Sequence, residues 1–555
     1  MATNNKKTSR ESGEKGGGRE IAADKSGICC WIAIAVVIIA AGAIRGRLLA
    51  IPFERDEGEY AYIAQQMLQG VPPYESAYSM KLPGIYAVYA VIMSIFGQTQ
   101  SAVHLGLLIV NAATIFLVFL IAKNLFGPVA AVASGCAYAI TSLAIQVNGL
   151  MANAEHFVVL PALLGILLVY KNENRRRYLR ILAAGMFLGL AFVTKQHGIF
   201  FVGFTALYLL YTGLRHRPVQ RINVIVTQVI FTCGAIAPFA LVCLFFWLRG
   251  TFDKFWFWTF TYARGYTEMV PLPDAWVLFK EQVFLIFKES YLILFFALLG
   301  IPAIIFIKRY RQWAVFVAGL FLFSFLAVCP GFYFRGHYFI LLLPAVAILA
   351  GIGFVSLCNL SDKLPASPPR MILTCIIGLF VAGYLLYQQR VYLFYNSPVD
   401  VCRLMYGANP FPESLKIAEY IRDNSRPEDT IAILGSEPQI YFYSQRRAAT
   451  HFIYTYPLME PQPNAAKMQK EMIDEIEAAK PEYLVFVNIT TSWLARPNSP
   501  QDIFKWFNPY VNVYYNLAGV IDIPPFGQAR YYWNGQAASH NPESPYWVTV
   551  FKKRK

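Results

Sequence analysis

Long apolar runs broken by short basic clusters set the pattern of this chain. Runs able to cross a bilayer as helices, roughly 17–25 residues each, fall near 28–47, 102–122, 127–145, 155–170, 181–195, 198–214, 222–248, 291–307, 313–330, 338–357 and 371–390. One further run, PGIYAVYAVIMSIFG at 83–97, is short for a crossing. The loops KNENRRRYLR (171–180), RHRPVQR (215–221), KRYR (308–311) and SDKLPASPPR (361–370) carry the positive charge. Positive loops stay on the cytoplasmic side, and these share a side with the basic N-terminal tail only if 83–97 lies in or at the interface. The expectation is eleven spans, with 48–101 forming the first external segment. The same parity places the turn 146–155, the link Lys195-Gln196-His197, the loop 249–290, Gly331–His337 and everything after about residue 395 outside. Arg45 and Arg47 run against this rule at the outer end of span one.

After residue 395 the period changes. IAEYIRDN (417–424) and the amphipathic AAKMQKEMIDEIEAAK (465–480) read as helices, while TIAILG (430–435) and EYLVFVNI (482–489) read as strands. Helices alternating with short apolar strands predict a small α/β domain. The predicted division is a disordered cytoplasmic tail at 1–26, a transmembrane module at 27–395 and an extracytoplasmic α/β domain at 396–555. Composition agrees: of 555 residues 56% are hydrophobic, and the mean hydropathy is +0.43, the range of a polytopic membrane protein. The net charge of +15 sits in clusters that set topology, which argues against nucleic acid as partner. The nine cysteines form no CxxC pair and read as small core residues.

One acidic stretch stands out, ERDEGEYAYIAQQMLQG at 54–70. Tyr60, Ala61, Ile63, Ala64, Met67 and Leu68 recur at three and four, and Gly70, Pro72 and Pro73 stop the run. The spacing predicts a short amphipathic helix on the outer membrane surface, with Asp56 as N-cap and Glu59 closing a capping box. Other ionisable groups reach the same face: Lys81, Glu155 and His156, Lys195 and His197, Arg335 and His337. Each alone is ordinary for an interfacial or snorkelling side chain. Together they favour chemistry. A carboxylate facing cations at a membrane suits displacement at a sugar carbon attached to a lipid phosphate: the acceptor hydroxyl needs a base, and the departing phosphate needs positive charge. Soluble nucleotide sugars are not expected outside, which favours a donor carried on a polyprenyl lipid.

These residues carry a resemblance. Asp56-Glu57 after span one, Lys81-Leu82-Pro83, Glu155 after span three and Thr194-Lys195 after span five resemble the C-type, lipid-phosphosugar-dependent glycosyltransferases. The nearest groups are the dolichyl-phosphate-mannose protein mannosyltransferase-like family and the bacterial lipid A aminoarabinose transferases. The resemblance covers about residues 28–395 and rests on order and spacing. It implies a multi-span helical module with interfacial helices in the first external loop, and inverting sugar transfer to a lipid, glycan or protein acceptor. Asp56 would be the general base. Glu57 would bind acceptor or metal, or orient Asp56, and Glu155 stands where many relatives have Asp. Lys81 would contact the donor phosphate; Lys195, His197, Arg335 and His337 are proposed, on position and charge, as further substrate contacts. A divalent ion helps some members of the superfamily; here Asp56, Glu57, Glu155 and His156 would hold one, although no ligand cluster demands it. The implied setting is the bacterial inner membrane, with the site on the periplasmic side. A transporter or lipid-linked-sugar flippase is the alternative, and would more often show internal repeats and charge near the bilayer midplane. A surface assembly or sensor protein acting through its C-terminal domain is a third reading.

Overall fold

The computed structural model describes residues 11–170, 177–215, 218–359, 368–525 and 527–554. Residues 1–10, and most of the basic loops 171–180 and 361–370, lie outside that set. Helix α1 (Glu11–Arg47) carries the first apolar run. α2 (Arg55–Leu68) and α3 (Gly84–Phe96) lie within 48–101, the stretch expected to form the first external segment. α4 (Gln100–Phe126), α5 (Pro128–Thr141) and α6 (Ala154–Tyr170) follow, and further apolar helices run from Arg177 to Gln388. Among the described residues six helices are long and apolar enough to cross a membrane, and six more apolar ones are shorter. All eleven predicted spans coincide with helices from these two groups, and α3 at 13 residues is the short segment expected not to cross.

Two irregularities in the pattern have local causes. The helix Leu272–Phe306 extends back through much of the expected loop 249–290. Its one non-helical residue, Ser290 (φ −127°, ψ 17°), falls beside the predicted start of that span, so a kink stands where a loop end was expected. Arg45, the outward-end cation, is buried and donates to the carbonyls of Gly149 (2.8 Å) and Ser142 (2.7 Å). Arg47 donates to the carbonyls of Leu393 (3.0 Å) and Asn396 (2.7 Å). Both guanidinium groups satisfy backbone acceptors at helix ends, so they serve packing rather than topology.

The C-terminal part builds a six-stranded mixed sheet from β1 (Thr430–Leu434), β2 (Arg447–Ala448), β3 (Tyr483–Asn488), β4 (Tyr515–Asp522), β5 (Arg530–Trp533) and β6 (Trp547–Lys553) in the order β2-β1-β3-β6-β4-β5. β1 pairs in parallel with β2 and β3, and the remaining pairs are antiparallel, with Val485 opposite Val550. The amphipathic helix Ala465–Ala479 crosses between β2 and β3. These are the alternating elements that the period change foretold.

This sheet region does not have a core of its own. One continuous cluster of buried side chains joins Tyr60, Tyr86 and Tyr89 of α2 and α3 to Ile433, Tyr441 and Val485. Gly58 faces the backbone of Gln439, where a β-carbon would lie 2.6 Å from the Gln439 nitrogen. The N–H of Ala448 donates to the Tyr62 hydroxyl at 2.8 Å, and that of Phe53 to the Tyr443 hydroxyl at 2.8 Å. At the centre Arg55 pairs with Glu437 at 2.8 Å, the glutamate being fully buried. Arg55 also donates to the Ser436 carbonyl and to Asn409, and Glu437 accepts from Ser492 at 2.6 Å. Removing one member of a buried pair strands the other charge. Arg55→Met should therefore lower stability by about 3–5 kcal/mol, read as an earlier thermal transition and faster proteolysis after residue 400. Replacing both partners by Met should recover most of it, and an equal loss in the double variant would show that the pair is not the cause.

Candidate active site

The cap of helix α2 lies two residues before the predicted one. Glu54, with extended backbone (φ −79°, ψ −179°), is the N-cap: its side chain accepts from the N–H of Glu57, and the Glu57 carboxylate accepts from the N–H of Glu54, both at 3.2 Å. The capping box is thus Glu54–Glu57 rather than Asp56–Glu59. Pro52 and Phe53 keep the chain extended up to Glu54, so the first helical turn closes earlier. The shift exchanges roles within the acidic stretch. Glu57, fully buried, also meets the ring of His104 at 2.8 Å and accepts from the N–H of Ala152 at 2.6 Å. Its carboxylate is occupied in joining α2 to α4 and to the turn before α6. Asp56 and Glu59 are left to face open space.

That space is a cavity of about 430 Å³ lined by residues from six parts of the chain. Asp56 and Glu59 come from α2, Lys81 from the turn before α3, and Lys195 and His197 from the link after the helix Arg177–Thr194. Arg335 and His337 come from the turn before the helix Leu343–Asn359. The fifth wall is Tyr454, Tyr456 and Glu460, which lie between β2 and β3. Of the aromatic loop 249–290, Trp258, Tyr262, Arg264 and Tyr266 reach the cavity, while Trp256 and Trp276 are exposed away from it. Six of the sequence-nominated residues therefore share one cavity. Glu57, Glu155 and His156 stand outside its lining: Glu155 is fully buried behind Lys195, with which it pairs, and His156 is buried with no partner for either ring nitrogen among the described residues.

Lys81 organises the floor. Its ammonium lies 3.2 Å from Asp56 Oδ1 and 3.7 Å from Glu59 Oε2, and donates to the Tyr60 hydroxyl at 3.4 Å. Burial works against this charge, and Asp56 and then Glu59 more than restore it, so the Lys81 ammonium is firmly protonated. Burial likewise pushes the Asp56 carboxyl up, but the surrounding positive charge, Lys81 foremost, outweighs it and holds Asp56 well below the usual carboxylate range. At Glu59 burial prevails over the more distant Lys81, and the carboxyl is raised. Two carboxylates sharing one ammonium are thus driven apart, Asp56 towards the charged form and Glu59 towards the neutral one. His337, 3.9 Å from Glu155, is pulled down to about 4, burial being the main cause, so it is a neutral imidazole at neutral pH. His197 presents Nδ1 to the Ala327 carbonyl at 2.6 Å, which leaves Nε2 as an acceptor. Arg335 donates to the Tyr266 hydroxyl at 3.2 Å, and among the described residues no carboxylate pairs with it.

A divalent ion does not fit these groups. Asp56 faces the Lys81 ammonium, Glu155 faces that of Lys195, and Glu57 is filled by His104 and a backbone N–H. Among the described residues no three His, Cys, Asp or Glu side chains converge, so Asp56, Glu57, Glu155 and His156 do not form a common ligand set. An ion at Asp56 would have to displace a fixed ammonium, at a Coulombic cost that rises in a low-dielectric cavity.

Comparison with known proteins agrees with this architecture. Residues 80–261 match the family described as dolichyl-phosphate-mannose-protein mannosyltransferase. Among solved structures, the oligosaccharyltransferase AglB of Archaeoglobus fulgidus, in complex with an inhibitory peptide and a dolichol-phosphate, superposes with a TM-score of 0.50 at 14% identity, covering 90% of this chain and 74% of that one. The chain has the C-type glycosyltransferase fold. ArnT of Cupriavidus metallidurans bound to undecaprenyl phosphate is also similar, at 15% identity and a TM-score of 0.47, covering 82% of this chain and 92% of that one. No curated protein matches the chain. The family match takes in Lys81, Glu155 and Lys195 of this C-type fold and stops short of Asp56 on one side and Arg335 on the other.

The charge sharing at Lys81 has a pH signature. The depressed Asp56 pKa contributes stability that is fully present above the unfolded value, about 4, and is lost as pH falls towards the folded one. Lys81→Met should therefore lower the melting temperature at pH 7, with the gap to wild type narrowing as pH drops below about 4. A gap constant with pH would assign the loss to packing instead of charge.

Proposed function

We propose that this protein is a membrane glycosyltransferase that moves a sugar from a polyprenyl-phosphate donor to a hydroxyl-bearing acceptor by inverting displacement. The observation that carries the reading is the Asp56–Lys81 pair inside an aromatic-walled cavity also lined by Lys195, Arg335 and His337. Transfer by displacement needs a base for the acceptor hydroxyl and positive charge for the departing phosphate. Asp56 takes the proton from the acceptor hydroxyl as its oxygen bonds to the anomeric carbon. The bond from that carbon to the phosphate oxygen breaks, and its electron pair leaves with the phosphate. Lys81 and Arg335 receive the phosphate, Arg335 because no carboxylate claims it. Lys195, already neutralised by Glu155, serves chiefly to fix the wall.

The low basicity of Asp56 follows from its ammonium partner and is relieved by substrate. A donor phosphate draws the Lys81 charge towards itself, which removes the largest stabilisation of the ionised carboxylate. Asp56 becomes a better base once the leaving group is seated. Glu57 acts from behind, fixing the start of α2. Residues 27–395 form the transferase module and 396–555 an external part that completes its cavity; the site faces the periplasm of a bacterial inner membrane. The acceptor is a lipid, glycan or protein bearing a free hydroxyl.

Purified protein incubated with undecaprenyl-phosphate carrying a radiolabelled sugar, and with an alkyl glycoside as acceptor, should move the label to the acceptor and release undecaprenyl phosphate. Asp56→Asn should slow release by about 10²–10⁴-fold while still binding undecaprenyl phosphate, and near-full activity would remove Asp56 as the base. Lys81→Ala should chiefly raise the donor KM. If wild type neither binds undecaprenyl phosphate nor consumes any such donor, the transferase reading fails.

A further inference from the structure

The wall contributed by the C-terminal part holds a carboxylate that neither the base nor the phosphate contacts require. Glu460 ends the short helix Tyr456–Met459 and lines the cavity. It is 9% exposed and enters no ion pair among the described residues. Its Oε2 accepts from the hydroxyl of Tyr262, 198 residues away in sequence. The turn that carries it is fixed: the N–H of Glu460 donates to the Tyr456 carbonyl at 3.0 Å, Gln462 donates back to the Pro457 carbonyl at 2.8 Å, and Ser499 binds the Met459 carbonyl. The partner is fixed as well. Tyr262 closes a π-helix, Phe257–Tyr262, whose wider turn brings Trp258 and Tyr262 to the cavity with ring centroids 5.1 Å apart. Trp258 in turn stacks on Tyr78 at 4.9 Å. Single π-turns inserted in helices are concentrated at functional sites.

A glutamine would tether Tyr262 equally well, because its carbonyl accepts the same hydrogen bond. A buried, unpaired carboxylate is the costlier choice, and burial raises the Glu460 carboxyl. What a carboxylate adds is a strong acceptor for hydroxyl donors. Aromatic faces beside such an acceptor suit a sugar ring, whose C–H faces pack on aromatics while its hydroxyls donate at the edge. Arg496 and Arg335 act on Glu460 only from a distance, and neither forms an ion pair with it among the described residues. Building on the transferase reading above, we infer that Glu460, held by Tyr262, is a specificity residue that accepts a hydrogen bond from a sugar hydroxyl. That hydroxyl belongs either to the sugar being transferred or to a carbohydrate acceptor.

The test uses full-length Glu460→Gln and Tyr262→Phe. Undecaprenyl phosphate binding should be unchanged in both, which separates this inference from the transferase reading: wild type failing to bind or react sinks the latter alone. In the donor arm, kcat/KM is compared across undecaprenyl-phosphate sugars that differ by one hydroxyl. In the acceptor arm, the best donor is held saturating and alkyl glycosides are varied as acceptors. Glu460→Gln should cost roughly ten- to hundredfold in one arm only. A shift in donor preference assigns the transferred sugar, and a raised acceptor KM assigns the acceptor. Tyr262→Phe keeps the carboxylate and should give a smaller change in the same arm. Wild-type values for Glu460→Gln in both arms overturn the inference. Equal losses in the two variants, spread over both arms with an equal fall in melting temperature, also overturn it, since a mere tether behaves that way.

Discussion

Glu54 caps α2, and an α-helix then turns by about 100° per residue. That step sends three consecutive charged side chains in three directions. Arg55 enters the C-terminal part and pairs with Glu437; Asp56 enters the cavity and meets Lys81; Glu57 turns back to His104 and the N–H of Ala152. A cap displaced by one residue would rotate all three, burying Asp56 and freeing Glu57. The reciprocal hydrogen bonds between Glu54 and Glu57 are therefore what the orientation of Asp56 depends on.

Around that start the electrostatics divide into pairs that are closed and groups that are open. Arg55–Glu437 and Lys195–Glu155 are closed: each charge is met, buried and fixed. Arg335 and Glu460 are open, each held by a tyrosine hydroxyl in place of an opposite charge. Asp56–Lys81 is intermediate, because Lys81 is divided between two carboxylates and its charge can be drawn away by a third anion. Water exclusion by the tyrosines around it makes such transfers of charge larger than they would be in bulk solvent.

The helical module was readable because membrane spans are written in residue composition, and parity of the basic loops settled the standing of 83–97. The acidic pair and Lys81 were readable because charge beside apolar runs is costly and hence conspicuous. The division of labour inside the pair was not. Propensity tables favour Asp over Glu at a helix cap, and the actual cap is a glutamate whose partner is another glutamate. His104 gave no signal, being one polar residue within a long apolar helix. Tyr454, Tyr456 and Glu460 were invisible for a different reason: each lies about 400 residues from Asp56, and nothing local marks them as facing it. Tyr454 donates to Asp56 at 3.4 Å across a separation of 398 residues. Long-range packing of this kind leaves no periodicity to read.

The core that joins α2 to the sheet also fixes when the site comes into being. Arg55 and Glu437 are 382 residues apart, and at 5–20 residues per second a chain needs roughly 20–80 s to bridge that gap during synthesis. For that interval α2 has its cap and its neighbours α3 and α4, but its Gly58 face and the Arg55 charge stand uncovered at the membrane surface. The cavity gains its last wall only when Tyr454, Tyr456 and Glu460 arrive, so a partly made chain is a membrane protein with that cavity unfinished.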